Sequence, residues 1–407
     1  MKRLWSWGAA LLLLVCALMA ELPARAEGMI PIVTITADSL SGWTDKKDVR
    51  QAVLCYRDFE QGVSFTRDIT IRPQGTSSMA YDKKNFTIVL DEGVELQRRW
   101  GSQREYCLKA NYIDPTHAAN VVSARLAGEV YRSHQLLEDA PNNGAIDGFP
   151  VWVILNGEDA GLYTWNIPKA DWMFAMDEAN ENHIVMCAEA WSYPCMFLEK
   201  DFEIGSDWSF EVGAETPENI RKFKRLTTFI ATSSDEYFKA HFSEYLNLDA
   251  CLDYYCFTMV AYGMDNLAKN MLLATYDGEV WMPVLYDLDT TWGIDWDGKR
   301  VALLDSSRDA LLQGCGNLAQ KLFRNFPEEL QARYCELRSG ILSNEHIREQ
   351  FEAFTGAIPQ GCYDMDHRMW NPDGELIRTI DSVYELMDTY LPDMDAYFGF
   401  DAQAVGQ

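Results

Sequence analysis

The sequence predicts an α+β fold, with a β-rich N-terminal lobe over residues 27–165 and a mainly helical C-terminal lobe over residues 166–407. Three observations predict it. Residues 30–112 carry short period-two apolar runs punctuated by Gly, Asp, Asn and Ser. After Thr216 the apolar spacing changes to the 3.6-residue period of helices. The 407 residues exceed one ordinary core, and a hydrophobic content of 48% with 13 Trp is enough for two packed lobes.

The elements follow in order. Residues 1–26 read as a cleavable signal peptide: Lys2 and Arg3, an apolar run over 9–20, and a small-x-small site at Ala24-Arg25-Ala26. That run is shorter than the roughly 20 residues of a membrane span, so no stable span is expected. The mature chain is expected to be secreted and to begin near Glu27. Residues 30–37, 63–72, 85–90 and 104–112 read as strands. Residues 118–131 show helical spacing through Val122, Leu126 and Val130. Residues 151–155 and 161–165 bracket Asn156-Gly157, a hairpin signal. Helices are expected over 217–233, 235–244, 248–262, 317–342, 345–354 and 375–391.

Charge excludes some partners. The chain has 35 basic and 62 acidic residues, a net charge of −27. Residues 1–26 hold three of the basic residues and one acidic residue, so 32 basic against 61 acidic residues leave −29 afterwards. Such a chain is not expected to bind nucleic acid or an anionic membrane surface. Nine Cys follow the leader, an odd number without C-x-x-C spacing. Cys107, Cys251 and Cys256 lie in apolar segments, where free Cys packs as a small hydrophobe. Cys187 and Cys195 are the first pair expected to bond.

Residues 263–293, GMDNLAKNMLLATYDGEVWMPVLYDLDTTWG, carry the densest chemistry. Asp265 and Asn270 stand in D-x-x-x-x-N spacing, and Asp287-Leu288-Asp289 closes the block. Phosphoryl transfer needs a carboxylate to take the nucleophile's proton and oxygen ligands for divalent metal, and protein kinases use this spacing for both. Residues 271–276 and 279–285 read as strands around an Asp277-Gly278 turn. That register sets Asn270 opposite Leu285, with Asp287 on the same face, Cβ atoms roughly 7–8 Å apart. Two such side chains can share Mg²⁺ or Mn²⁺.

A second constellation lies in ITIRPQGTSSMAYDKKNFTIVL, residues 69–90. Arg72 precedes a Gly75-Thr76-Ser77-Ser78 loop whose amides and hydroxyls suit phosphate. Counting by two, Lys84 shares the face of Phe86, Ile88 and Leu90, which makes it a candidate cation for nucleotide phosphates. No H-x-x-x-H, H-E-x-x-H, G-x-S-x-G or Walker-type loop occurs. An exposed subset of the Trp and Tyr residues suits a carbohydrate face.

IRPQGTSS with KKNFTIVL, LKANYIDPTHAANVVSARLA, VWVILNGEDAGLYTW, and MDNLAKN with LYDLDTTWG stand in this order over residues 30–295. Together they resemble the spore coat protein H (CotH) kinase family. The resemblance implies an atypical, kinase-like fold with its active site between the lobes. It also implies ATP with Mg²⁺ or Mn²⁺, and transfer of the γ-phosphate to Ser/Thr of secreted, spore-coat or cell-surface proteins. By that resemblance Asp265 is the catalytic base, Asn270 a metal ligand, and Asp287, or its alternative Asp289, the kinase metal-binding Asp. Lys84, Arg72, Gly75 and Ser77 then contact the nucleotide. The chain departs from the family at Asn166, where Glu is common, and has no HRD or DFG triplet. Glu129 is the candidate partner of the nucleotide lysine. The competing expectation is a non-catalytic secreted adhesion module that binds proteins or cell-wall glycan.

Overall fold

A computed structural model describes residues 30–75, 77–300 and 308–401, with Ser77 as backbone only. The signal-peptide segment lies outside the described residues. Seven strands form a closed barrel: β1 (Ile32–Thr36), β2 (Arg50–Asp58), β3 (Val63–Gln74), β4 (Asn85–Glu95), β5 (Ser102–Lys109), β6 (Gly148–Leu155) and β7 (Glu158–Asn166). Their order is β1-β2-β3-β4-β5-β7-β6, and β6 closes the barrel by pairing parallel to β1, Ile32 with Trp152 and Ile35 with Leu155. Alternate residues fill it: Leu54 and Tyr56, Ile69 and Ile71, Phe86, Ile88 and Leu90, Tyr106 and Leu108. Trp165 meets Tyr106 and Tyr56 there, with ring centroids 5.2 and 5.7 Å apart.

The closed barrel corrects the expected kinase-like two-lobed arrangement. Closure rests on a strand pair more than a hundred residues apart in sequence, which local periodicity does not encode. Strand β2 was also unassigned; its apolar Ala52, Leu54 and Tyr56 alternate with Gln51, Val53 and Cys55.

Helix α1 (Ala119–Val130) joins β5 to β6, and ten of its twelve residues are buried. It is a strut inside the molecule. After the barrel a second, antiparallel sheet has the order β11-β10-β8-β9. Its strands are β8 (Ile184–Ala188), β9 (Trp208–Val212), β10 (Met271–Thr275) and β11 (Met282–Leu285). The C-terminal part is therefore α+β, with β8 and β9 additional to the expected elements.

Helix α2 (Pro217–Thr232) starts at Thr216, whose hydroxyl accepts from Asn219 N, with Pro217 in the first turn. Helices α3 (Asp235–His241) and α4 (Leu248–Ala261) follow; α4 is buried from Ala250 to Ala261. Past α5 (Arg308–Gly314), the expected 317–342 helix is two: α6 (Asn317–Asn325) and α7 (Pro327–Arg338). Pro327 lacks the N–H that would continue the first helix. Helices α8 (Asn344–Gly356), α9 (Gln360–Trp370) and α10 (Ile380–Tyr397) complete the chain.

Helix α9 returns to the barrel and pins it. Asp366 accepts from Lys83 Nζ at 2.7 Å, His117 Nε2 at 3.0 Å and the β7 backbone at Leu162 N at 2.8 Å. All three side chains are buried. Gly161, at φ +94°, leaves the room: a Cβ there would stand 2.2 Å from Asp366 Oδ1. All nine described cysteines are free thiols, which corrects the expected Cys187–Cys195 bond. Cys187 Sγ accepts from Lys169 Nζ at 3.3 Å, while Cys195 Sγ donates to Asp207 O at 3.0 Å.

Removing the Asp366 carboxylate strands a buried ammonium. Asp366→Ala is expected to cost about 3–5 kcal/mol, read from urea unfolding. The same cluster sets an acid limit. Burial first, then the Lys83 charge, holds His117 below its ordinary 6.5. Burial raises the Asp366 carboxyl, but Lys83 and His117 outweigh it and hold it below its ordinary 3.8. Both groups bind fewer protons folded than unfolded, so stability falls as pH falls. The His117 part is lost below 6.5 and the Asp366 part only below 3.8. The melting temperature should fall between pH 7 and 5, and His117→Gln should reduce that slope; an unchanged slope rejects the assignment.

Candidate active site

The β10–β11 hairpin carries acidic and amide groups at its open end. Its register pairs Met271 with Leu285, one residue away from the expected Asn270–Leu285 pair. The turn is wider than two residues. Asp277 Oδ1 accepts from Glu279 N and Val280 N at 2.8 Å and from the Thr275 hydroxyl at 3.0 Å, which holds a longer loop. Asn270 precedes β10 at φ 60° and Asp287 follows β11 at φ 53°. Asn and Asp tolerate this left-handed region better than most residues. Strand alternation therefore does not aim these two side chains; two backbone reversals do.

Both line one cleft of about 680 Å³, with Asp265, Asp289, Arg72 and Gly75. One wall is the outer face of the barrel: Arg72 and Gln74 on β3, Asn85 and Thr87 on β4, and Glu105, Cys107 and Lys109 on β5. The facing wall is the second sheet, with Cys187, Glu189, Ser209 and Glu211.

Helix α1 fixes the Asp-Leu-Asp loop. Asn120 Oδ1 accepts from Leu288 N at 3.0 Å, and Ser123 Oγ bonds the Thr291 hydroxyl at 3.2 Å and accepts from the Trp292 indole at 2.8 Å. Buried Arg378 donates to Asp289 O at 2.6 Å and to Thr291 O at 2.5 Å. These bonds satisfy the backbone of an irregular buried segment.

The carboxylates differ in how readily they ionise. Asp287 accepts from Lys109 Nζ at 3.2 Å. Burial raises its carboxyl, but Lys109, with Lys269 and Lys169, outweighs burial and keeps it below the ordinary value. Burial and then the Asp287 charge push Asp289 up to about 8. Asp265 is also raised, first by burial; the Trp191 indole, donating to Oδ1 at 3.1 Å, opposes this. Burial disfavours the Lys109 ammonium, but Asp287 more than restores it.

Cys187, Glu189 and Glu211 bring ligand atoms within 4.8 Å of one another. Lys169 already supplies the cation there, with Nζ 2.7 Å from Glu211 and 3.6 Å from Glu189.

Asp265, Asn270, Asp287, Asp289, Arg72 and Gly75 thus meet at one cleft. The Ser77 side chain lies outside the described residues. Lys84 does not line this cleft, and its expected place there is corrected. Its Nζ donates to Met79 O at 3.0 Å and to Tyr81 O. Strand β4 begins at Asn85, so counting by two from Phe86 runs past the end of the strand. Lys83 is buried against Asp366. Glu129 pairs with His346 at 2.9 Å rather than with a cleft lysine. Asn166 is fully buried where β7 ends.

The cations beside the carboxylates include Lys109, Lys169 and Lys269, none of which sequence reasoning singled out. Lys109 had a signal: it shares strand parity with Glu105 and Cys107, a polar stripe opposite Tyr106 and Leu108. Lys169 lies in the irregular segment after β7, where no spacing rule applies.

A family model described as CotH kinase protein matches residues 71–392. No curated protein shows a significant match. The matched span contains every cleft carboxylate, Lys109, Lys169 and Lys269, and most of the barrel, and it covers well over half of the chain. The chain belongs to the CotH kinase protein family.

Proposed function

We propose that this chain is a secreted atypical protein kinase that transfers the γ-phosphoryl group of ATP to Ser or Thr hydroxyls of extracellular, spore-coat or cell-surface proteins. The observation that carries the reading is the convergence of Asp265, Asn270, Asp287 and Asp289 with Lys109 in one cleft. Residues 1–26 support export.

The donor set fits a divalent cation. Asp287 and Asp289 raise each other's cost of ionisation, and Asp289 is pushed up to about 8. Hard oxygen ligands in excess of local positive charge suit Mg²⁺ or Mn²⁺. Asn270, Asp287 and Asp289 would hold it; when bound, it supplies charge neutralisation on the phosphates.

The chain's own residues divide the remaining work. Lys109 and Arg72, with the backbone at Gly75, face the position for phosphate oxygens. Asp265 accepts the proton of the acceptor hydroxyl. The acceptor oxygen bonds to the γ-phosphorus as the bond from that phosphorus to the β,γ-bridging oxygen breaks. ADP leaves, and the proton passes from Asp265 to solvent.

Labelled ATP with Mn²⁺ tests the reading, with the protein itself and dephosphorylated casein as acceptors. Wild type should transfer label, and Asp265→Ala should fall by about 10²-fold or more. Equal, negligible transfer by both leaves the adhesion module instead. In calorimetry, Asp287→Ala and Lys109→Ala should weaken Mn·ATP binding, while Lys84→Ala should leave it unchanged. Secreted protein should begin near Glu27 on N-terminal sequencing.

A further inference from the structure

Asp265 sits at the cleft edge with only one of its carboxylate oxygens engaged. Oδ1 accepts the Trp191 indole N–H at 3.1 Å, and Oδ2 accepts no hydrogen bond from the described residues. The donor is unusual because Trp191 is 45% exposed. A Trp placed for packing buries its ring. This one leaves much of its ring in water and keeps its single donor on a cleft carboxylate.

The loop that carries Trp191 is built to hold still. Ser192 Oγ donates to Asp207 Oδ1 at 2.7 Å, and Glu189 N donates to Asp207 O at 2.8 Å. Cys195 and Phe197 anchor the far side in the core. Asn317 N donates to Met196 O at 2.8 Å. At Gly316 a Cβ would lie 2.5 Å from Met196 O, so the loop packs directly on backbone. Backbone and core therefore fix the loop, and the indole ring adds little to it.

Asp265 itself rests on a single turn, residues Asp265–Leu267. Its backbone carbonyl accepts from Lys269 N at 2.7 Å, which fixes the main chain but not the carboxylate rotation. The Trp191 N–H is the one side-chain donor on that carboxylate among the described residues.

We infer that Trp191 is a positioning residue for the phosphoryl-transfer base: its indole N–H holds Asp265 Oδ1 and so presents Oδ2 to the acceptor hydroxyl. The inference rests on the kinase reading above. The proton of the acceptor hydroxyl goes to Oδ2, while Oδ1 keeps its bond to the indole. Proton transfer needs heavy atoms within hydrogen-bond reach, so a freely rotating carboxylate is a poorer base at the same nucleotide affinity.

Trp191→Phe tests this, since it keeps an exposed ring and removes only the N–H. Wild type, Trp191→Phe and Asp265→Asn are assayed with Mn·ATP and dephosphorylated casein. Trp191→Phe should lower kcat about tenfold with the KM for ATP unchanged, the pattern of an interaction used in the transition state. Mn·ATP binding by calorimetry and the melting temperature should match wild type. An unchanged kcat overturns the inference. A loss of kcat with weaker Mn·ATP binding or a lower melting temperature overturns it too, by making Trp191 a scaffold residue. If wild type transfers no more phosphate than Asp265→Asn, the kinase reading itself fails. An active wild type beside an equally active Trp191→Phe sinks only the role of Trp191.

Discussion

The cleft depends on the polar face of a buried helix. Helix α1 is almost wholly enclosed, yet it presents Asn120 and Ser123 to the Asp-Leu-Asp segment. An irregular backbone that enters the interior must find partners for its N–H and C=O groups. Here the helix supplies them from one side and Arg378 from the other. Asp287 can then hold a left-handed conformation that would be costly without such support. Strand β11 brings the chain to the cleft, and the helix decides where its carboxylates point.

A second constraint is electrostatic. The chain carries a net charge of −27 and still concentrates six carboxylates in one cleft. Repulsion among them is answered locally. Lys109 keeps Asp287 ionised, Lys169 stands between Glu189 and Glu211, and Asp289 is left with its carboxyl pushed up to about 8. The two lysines come from different elements, the end of β5 and the segment after β7. With Lys269 before β10, the cleft thus gathers positive charge from both of its walls to offset carboxylates from the barrel, the second sheet and the hairpin ends.

How much of this was legible in the sequence follows from range. The D-x-x-x-x-N spacing, the closing Asp-Leu-Asp and the Gly75 loop are local patterns, and their residues converge on one cleft. Most helices after Thr216 were also legible, some from an apolar stripe and α4 from a long apolar run. Barrel closure was not, since it depends on β6 meeting β1 across the whole N-terminal part. Lys84 shows the limit of parity: an alternation rule holds only inside the strand, and β4 starts one residue later. Lys109 obeys the rule, on the same face of β5 as Glu105 and Cys107. Trp191 could not be found by spacing at all, since its loop is shaped by Asp207 and Asn317.

The clamp at Asp366 also governs when the molecule can mature. Lys83 and Asp366 are 283 residues apart in sequence. Ribosomes add about 5–20 residues per second, so the lysine emerges roughly 15–60 s before its counter-charge exists. Until then the barrel wall holds an ammonium that must either stay hydrated or lose its proton. The barrel therefore cannot reach its final packing as an independent early unit. Final packing of the barrel is thereby tied to synthesis of the C-terminal helices, and the chain matures as one unit.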